Sequence, residues 1–98
     1  MAHTGLVLSE RYEHHDTGPH HPETPARARA IRQRMHESGL ADAALLIDPK
    51  PADPSVIDPV HPPEYVSRFR NACELRAGFI DTPECPVCGE SYEVALTA

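Results

Sequence analysis

The sequence has little with which to fill a large core. Tryptophan is absent, and the only aromatic residues are three Tyr and two Phe in a chain of 98. That length suits one small domain near the lower limit for a self-sufficient core. No stretch approaches the roughly 20 apolar residues of a membrane-spanning helix, so no membrane partner is expected. The Met1 end lacks the basic region and apolar run of a secretory leader. An excess of positive charge is also lacking: the formal net charge is −6 with His neutral, which argues against general binding to a nucleic-acid backbone. There is no Gly-x-Ser-x-Gly and no Cys/His/Asn set for nucleophilic catalysis. Neither a phosphate-cradling glycine loop nor a dinucleotide-binding fingerprint occurs. Three cysteines, an odd number without a secretion signal, predict reduced thiols in a cytoplasmic setting.

Proline, by contrast, is abundant. Eleven prolines are about twice the usual share, and most fall between residues 19 and 63, which favours extended connections over long elements. Gly5-Leu6-Val7-Leu8 reads as a first strand, its continuous apolarity suiting an α/β sheet. Residues 10–23 read as a long polar loop, of a length that is usually functional or disordered. Thr24-Pro25 opens a helix by cap and first-turn proline, with Ala28, Ile31 and Met35 on one face and Gly39 as its stop. Arg27, Arg29, Arg32 and Arg34 form a basic run on that helix whose plain reading is a solvated face, while residues 42–58 are acidic.

Ala43-Ala44-Leu45-Leu46-Ile47 reads as a second strand, a parallel neighbour of the first with exposed edges. Asp53-Pro54 repeats the cap-then-proline signature ahead of a short helix over residues 55–57, and His61-Pro62-Pro63-Glu64 repeats it again. The helix that follows carries Tyr65, Val66, Phe69, Ala72 and Cys73 on one stripe. Glu64 precedes Arg68 by four residues, the favourable order for an ion pair, and Gly78 is the expected end. Residues 81–90 form a loop with Pro and Cys. Residues 90–98 begin a helical pattern with Tyr92, Ala95 and Leu96, about two turns long and too short to persist alone in water.

Two groups of residues invite a metal. His14, His15, His20 and His21 are read as loop histidines with adventitious metal binding at most. Cys85-Pro86-Val87-Cys88-Gly89 resembles half of a zinc knuckle, but a structural site needs four ligands, and only Cys73 and a histidine such as His61 remain to complete it. A small zinc-binding interaction module on Cys73, Cys85 and Cys88 therefore stands as an alternative, beside a pair of plain loop cysteines. A redox pair would want the motif at a helix start within a βαβ unit, and here the helix starts slightly later.

Three segments share a family pattern. They are His21-Pro22-Glu23-Thr24-Pro25-Ala26-Arg27 after Gly18, Val60-His61-Pro62-Pro63-Glu64-Tyr65-Val66, and Glu84-Cys85-Pro86 leading into Ser91-Tyr92-Glu93. In this order they resemble the start of a histone deacetylase family domain, with Glu23 resembling the class II and bacterial branches that include acetylpolyamine amidohydrolases. The resemblance implies the N-terminal part of the parallel-sheet arginase/deacetylase α/β fold, with residues 1–98 as one incomplete segment of a single domain. It implies a zinc-dependent hydrolase of acetyl-lysine or acetylpolyamine amides. It further implies that the zinc ligands, the proton-shuttling histidine pair and the oxyanion tyrosine fall after Ala98, so that no zinc is expected on this chain alone. His21 and Pro22 match a wall of the substrate tunnel, and Arg27 matches an arginine lining the acetate channel. Glu84 stands where relatives carry an aspartate that grips the substrate backbone. That departure leaves Asp81 as another candidate for the grip. His20 stands where relatives often have glycine. A non-catalytic, degenerate paralogue acting as a binding protein is the remaining alternative.

Overall fold

Two short parallel strands organise the first half of the chain in the computed structural model, which describes residues 3–98. Strand β1 (Gly5–Leu6) pairs with β2 (Leu45–Leu46), Gly5 opposite Leu45 and Leu6 opposite Leu46. Leu45 N–H donates to Thr4 O and Ile47 N–H to Leu6 O, both at 2.9 Å. The parallel pairing agrees with the expectation, but each strand is two residues long rather than four or five. The residues before β2 form a helical turn, α2 (Leu40–Ala43), which takes in Ala43, the first residue of the expected strand.

Helix α1 (Pro25–Glu37) starts as the sequence predicts. Thr24 Oγ1 accepts from Ala26 N–H at 3.0 Å and Pro25 occupies the first turn. Gly39 ends it at φ 81°, the left-handed position that glycine fills without strain. Its expected apolar face is not covered by a core: no residue of α1 is buried, and Ile31 is 56% exposed. The connecting loop before it is not wholly irregular, since Glu10–His14 form a 3-10 turn whose cap is Ser9, accepting from Arg11 N–H at 3.1 Å.

The second half is better packed. A 3-10 turn at Pro54–Ile57 is capped by Asp53, whose carboxylate accepts from Ser55 N–H at 2.9 Å. That bond holds the Asp53 carboxyl below the usual carboxylate range. Helix α3 (Pro63–Glu74) begins with Pro62 as cap rather than His61. It ends before Gly78, because Arg76 itself takes the left-handed position at φ 51°. Arg76 N–H donates to Cys73 O at 3.1 Å and Ala77 N–H to Ala72 O at 3.0 Å, the paired bonds of a Schellman end. The expected Glu64–Arg68 pair is replaced by Arg68–Asp81 at 3.3 Å. Tyr65, Phe69 and Ala72 of the predicted stripe, with Tyr92, close over buried Cys73, Ile80 and Val87.

Helix α4 (Ser91–Thr97) supplies the other wall of this core. Its last carbonyls, which lack partners within the helix, are met from elsewhere: Ala52 N–H donates to Leu96 O at 2.9 Å and Tyr12 Oη to Thr97 O at 3.3 Å. The Cα extents are 44 × 33 × 16 Å. Packed helix axes lie about 8–10 Å apart, so the short dimension holds at most two layers. Val7, Leu45, Leu46 and Ile47 are accordingly exposed, whereas an all-parallel sheet is normally covered on both faces. No described helix is long and apolar enough to cross a membrane.

Candidate functional site

The loop between the first 3-10 turn and α1 is fixed by its own side chains. The buried Thr17 hydroxyl donates to Glu23 O. The Asp16 carboxylate accepts from Gly18 N–H at 2.9 Å, an Asx turn, and Gly18 takes φ 91°. His21 Nδ1 accepts from Glu23 N–H at 3.1 Å. His21 is half-buried, and His20, Pro22 and Glu23 are exposed. Three short-range hydrogen bonds thus shape a segment that composition alone marks only as a loop.

The second loop is a miniature hairpin. Phe79 pairs antiparallel with Pro86, Ile80 N–H donates to Cys85 O at 3.0 Å, and Val87 N–H donates to Gly78 O at 3.1 Å. Cys85 N–H closes a turn onto Thr82 O at 3.0 Å. Pro83 and Glu84 are its central residues, and proline pre-sets the backbone at the first of them. Asp81 takes φ 61°, and its carboxylate receives two bonds from Arg68, each 3.3 Å. Asp81 is therefore engaged with α3, while Glu84 stands exposed at the turn.

The two loops meet. Gly18, His20 and His21 from the first, with Pro83 and Pro86 from the second, line one open hollow of about 270 Å³. A second hollow of about 350 Å³ is bordered by His15, Glu23, Glu84, Pro86 and Ser91. A third, about 300 Å³, is bordered by Tyr12, His15, Glu23 and Arg27. His15, Glu23 and Val94 border both of the last two, so the space beside Arg27 adjoins the space beside Glu84. His21, Glu84 and Arg27 each border a different one of these three hollows. Pro22 lies between His21 and Glu23 and borders none of the three hollows.

A cluster that the sequence did not single out joins the loops behind the cleft. His15 Nδ1 lies 2.7 Å from Ser91 Oγ, and Ser91 is only 2% exposed. Cys88 N–H donates to Ser91 Oγ at 2.8 Å, and Ser91 Oγ lies 3.3 Å from Cys88 Sγ as donor. Cys88 Sγ donates to His14 O at 3.1 Å and accepts from Asp16 N–H at 3.3 Å. The sequence marks His15 as no more than a loop histidine. The only signal for its role was a Ser at a helix start three residues after a Cys, which has no force until the two loops are brought together.

The basic run on α1 is not simply solvated. Glu13 receives Arg29 Nε at 2.9 Å and Arg32 Nε at 3.0 Å, and Arg32 also lies 3.6 Å from Glu10. The Arg32 and Arg29 guanidiniums hold the Glu13 carboxyl below the usual carboxylate range, and the same pairing raises Arg32 further. This network fastens the 3-10 turn to α1 and so sets where Tyr12 and Arg27 stand.

The cysteines are dispersed in role. Cys73 is 2% exposed within the core, and burial pushes its thiol up. Cys85 is exposed, with Thr82 Oγ1 3.8 Å from its sulfur, and Cys88 belongs to the cluster with Ser91. Among the described residues no three His, Cys, Asp or Glu side chains gather to hold a metal ion. The knuckle on Cys73, Cys85 and Cys88 thus has no geometric support: each sulfur sits in a different setting.

Comparison with known proteins places this geometry. The histone deacetylase domain family matches residues 21–98. An uncharacterized protein of Synechocystis sp. is 33% identical over 97 residues, an alignment covering 95% of this chain and 31% of that protein. The chain therefore spans less than a third of the length of that relative.

Proposed function

The chain belongs to the histone deacetylase domain family, and on that premise we propose that residues 1–98 are the N-terminal segment of a single arginase/deacetylase-type domain. The whole domain would hydrolyse acetyl-lysine or acetylpolyamine amides in a cytoplasmic setting. This segment would supply walls of the substrate cleft rather than its reacting centre. Zinc is implied by the family, but the described residues do not gather into a metal site. The roles proposed for this chain are accordingly those of binding and positioning.

The observation that carries the reading is the meeting of residues 17–21 with residues 83–86 around one hollow. Pro19, His21, Pro83 and Pro86 give that hollow rigid, largely apolar walls, suited to the methylene arm of a lysine or polyamine. Glu84 stands on the same hairpin, and its carboxylate would accept charge-assisted hydrogen bonds from substrate N–H groups. Asp81 is not the better candidate, since Arg68 occupies its carboxylate.

Arg27 would favour an anionic product through its planar fork of donors. Helix stability gives no reason for an arginine there: the first turn of α1 has no acidic residue, and a cation at a helix N-terminus opposes the macrodipole. The test is zinc-dependent hydrolysis of an acetyl-lysine or acetylpolyamine substrate by the full-length protein, wild type against Arg27→Ala. We expect turnover to fall at least about tenfold, more than a kcal/mol in transition-state terms, with the melting temperature nearly unchanged. Equal turnover at equal fold would remove the channel role. The isolated 98-residue chain is expected to hydrolyse neither substrate and to melt without a sharp transition; zinc-dependent hydrolysis by it would overturn the reading.

A further inference from the structure

We propose that His15 is a positioning residue which, carrying its proton on Nδ1, closes a ring of hydrogen bonds that holds the two cleft loops at a fixed separation. The loops are far apart in sequence: the bonds from His14, His15 and Asp16 to Cys88 and Ser91 span 72 to 76 residues. Residues 14–16 lead directly into Thr17–His21, and residues 88–91 directly follow Pro83–Val87. Whatever fastens one trio to the other therefore fixes the hollow between His21 and Pro86.

Counting hydrogens assigns the proton. A serine hydroxyl has one hydrogen to give and two lone pairs to receive with. Ser91 Oγ meets Cys88 N–H at 2.8 Å, His15 Nδ1 at 2.7 Å and Cys88 Sγ at 3.3 Å. With Nδ1 protonated, Ser91 receives from both nitrogens and gives its own hydrogen to Cys88 Sγ. The thiol hydrogen then goes to His14 O at 3.1 Å, and the peptide link from His14 to His15 completes the ring. Asp16 N–H enters the ring at the sulfur. With Nδ1 bare, Ser91 must turn its hydrogen to the ring nitrogen, and the bond to Cys88 Sγ is lost. With hydrogen on Nδ1 all five contacts of the cluster are hydrogen bonds, whereas with Nδ1 bare four remain.

His15 also borders both the hollow beside Arg27 and the hollow beside Glu84, so its displacement would move the shared wall of the cleft. This part of the inference rests on the function proposed above, whereas the proton assignment does not.

The test reads the proton first. Long-range ¹H–¹⁵N spectra of the full-length protein at mildly alkaline pH should show His15 protonated at Nδ1 and bare at Nε2; the opposite tautomer would overturn the ring. Ser91→Ala should move the proton to Nε2 and abolish nuclear Overhauser contacts between residues 18–21 and 83–86, and contacts left intact would also overturn it. His15→Asn keeps a donor near the Nδ1 position and should preserve those contacts, while His15→Gln should lose them. In the full-length protein, His15→Gln should raise KM for an acetylated amine about tenfold with a smaller change in kcat, the pattern of lost uniform binding, and His15→Asn should restore KM to within about twofold of wild type. Activity with an unmoved KM in His15→Gln would refute the positioning role and leave the functional reading standing. An intact ring in a protein that hydrolyses no acetylated amine would refute both the functional reading and the positioning role.

Discussion

Between α3 and α4, Cys73, Ile80 and Val87 are buried, with Tyr65, Phe69, Ala72 and Tyr92 closing over them. Helix α1, in contrast, contains no buried residue, and both residues of β2 are exposed. The first region is held by apolar burial. The second is held by caps, by the Glu13–Arg29–Arg32 network and by hydrogen bonds that reach across to α4. The cleft lies where the two meet, so each of its walls depends on a different kind of force. The hairpin bearing Glu84 inherits rigidity from the core directly behind it, since Ile80 and Val87 are its own residues. The loop bearing His21 has no such core and takes its position from docking onto Cys88 and Ser91.

That contrast can be broken most forcefully from the core side. Ile80 is 7% exposed, and Ile80→Ala in the full-length protein should cost about 2–4 kcal/mol from lost burial and the cavity left behind, read as a drop in denaturant midpoint. The matching change on α1, Ile31→Ala at a residue 56% exposed, should stay within about 0.5 kcal/mol. Similar costs at the two positions would erase the distinction.

Next in size is the charged network. Glu13→Gln should lower stability at neutral pH and leave the wild type and variant alike in acid. The sign follows from the direction of the shift. Glu13 is held below its ordinary carboxylate range in the folded protein, so its contribution is complete above that range and is lost as pH falls through the lower, folded value. Denaturant midpoints of both proteins measured from neutral to acid pH would check this; a gap that persists undiminished in acid would exclude the ion pairs as its source. Smaller again is Thr24→Ala, which removes the cap of α1 and should cost about 1 kcal/mol. Its helical circular dichroism should fray while the α3–α4 core melts as before.

Much of the scaffold is legible in the sequence because its signals are local. Thr24-Pro25 and Asp53-Pro54 place their elements through side-chain caps that need nothing distant, and the Tyr65–Phe69–Ala72–Cys73 stripe identifies the face that becomes the core. The motifs around His21, Arg27 and Glu84 mark segments that border three neighbouring hollows. Other features were hidden because they depend on partners far along the chain. Arg68 turns from Glu64 to Asp81 only because the hairpin brings Asp81 to α3. The arginines of α1 look solvated until the 3-10 turn delivers Glu13. Arg76 stops α3 in a left-handed conformation that residue type would assign to Gly78, since the chain must turn early to start the hairpin. His15 acquires its role only when Ser91 and Cys88 arrive from more than 70 residues away.

The central claim, that the two loops form one substrate cleft gripped by Glu84, is tested most directly by the KM of Glu84→Ala in the full-length protein. An acetyl-lysine peptide is the substrate. The account predicts that KM rises about tenfold, the loss of roughly 1.4 kcal/mol of substrate binding, with a smaller change in kcat and an unaltered melting temperature. An unchanged KM in a variant that folds as wild type would contradict it.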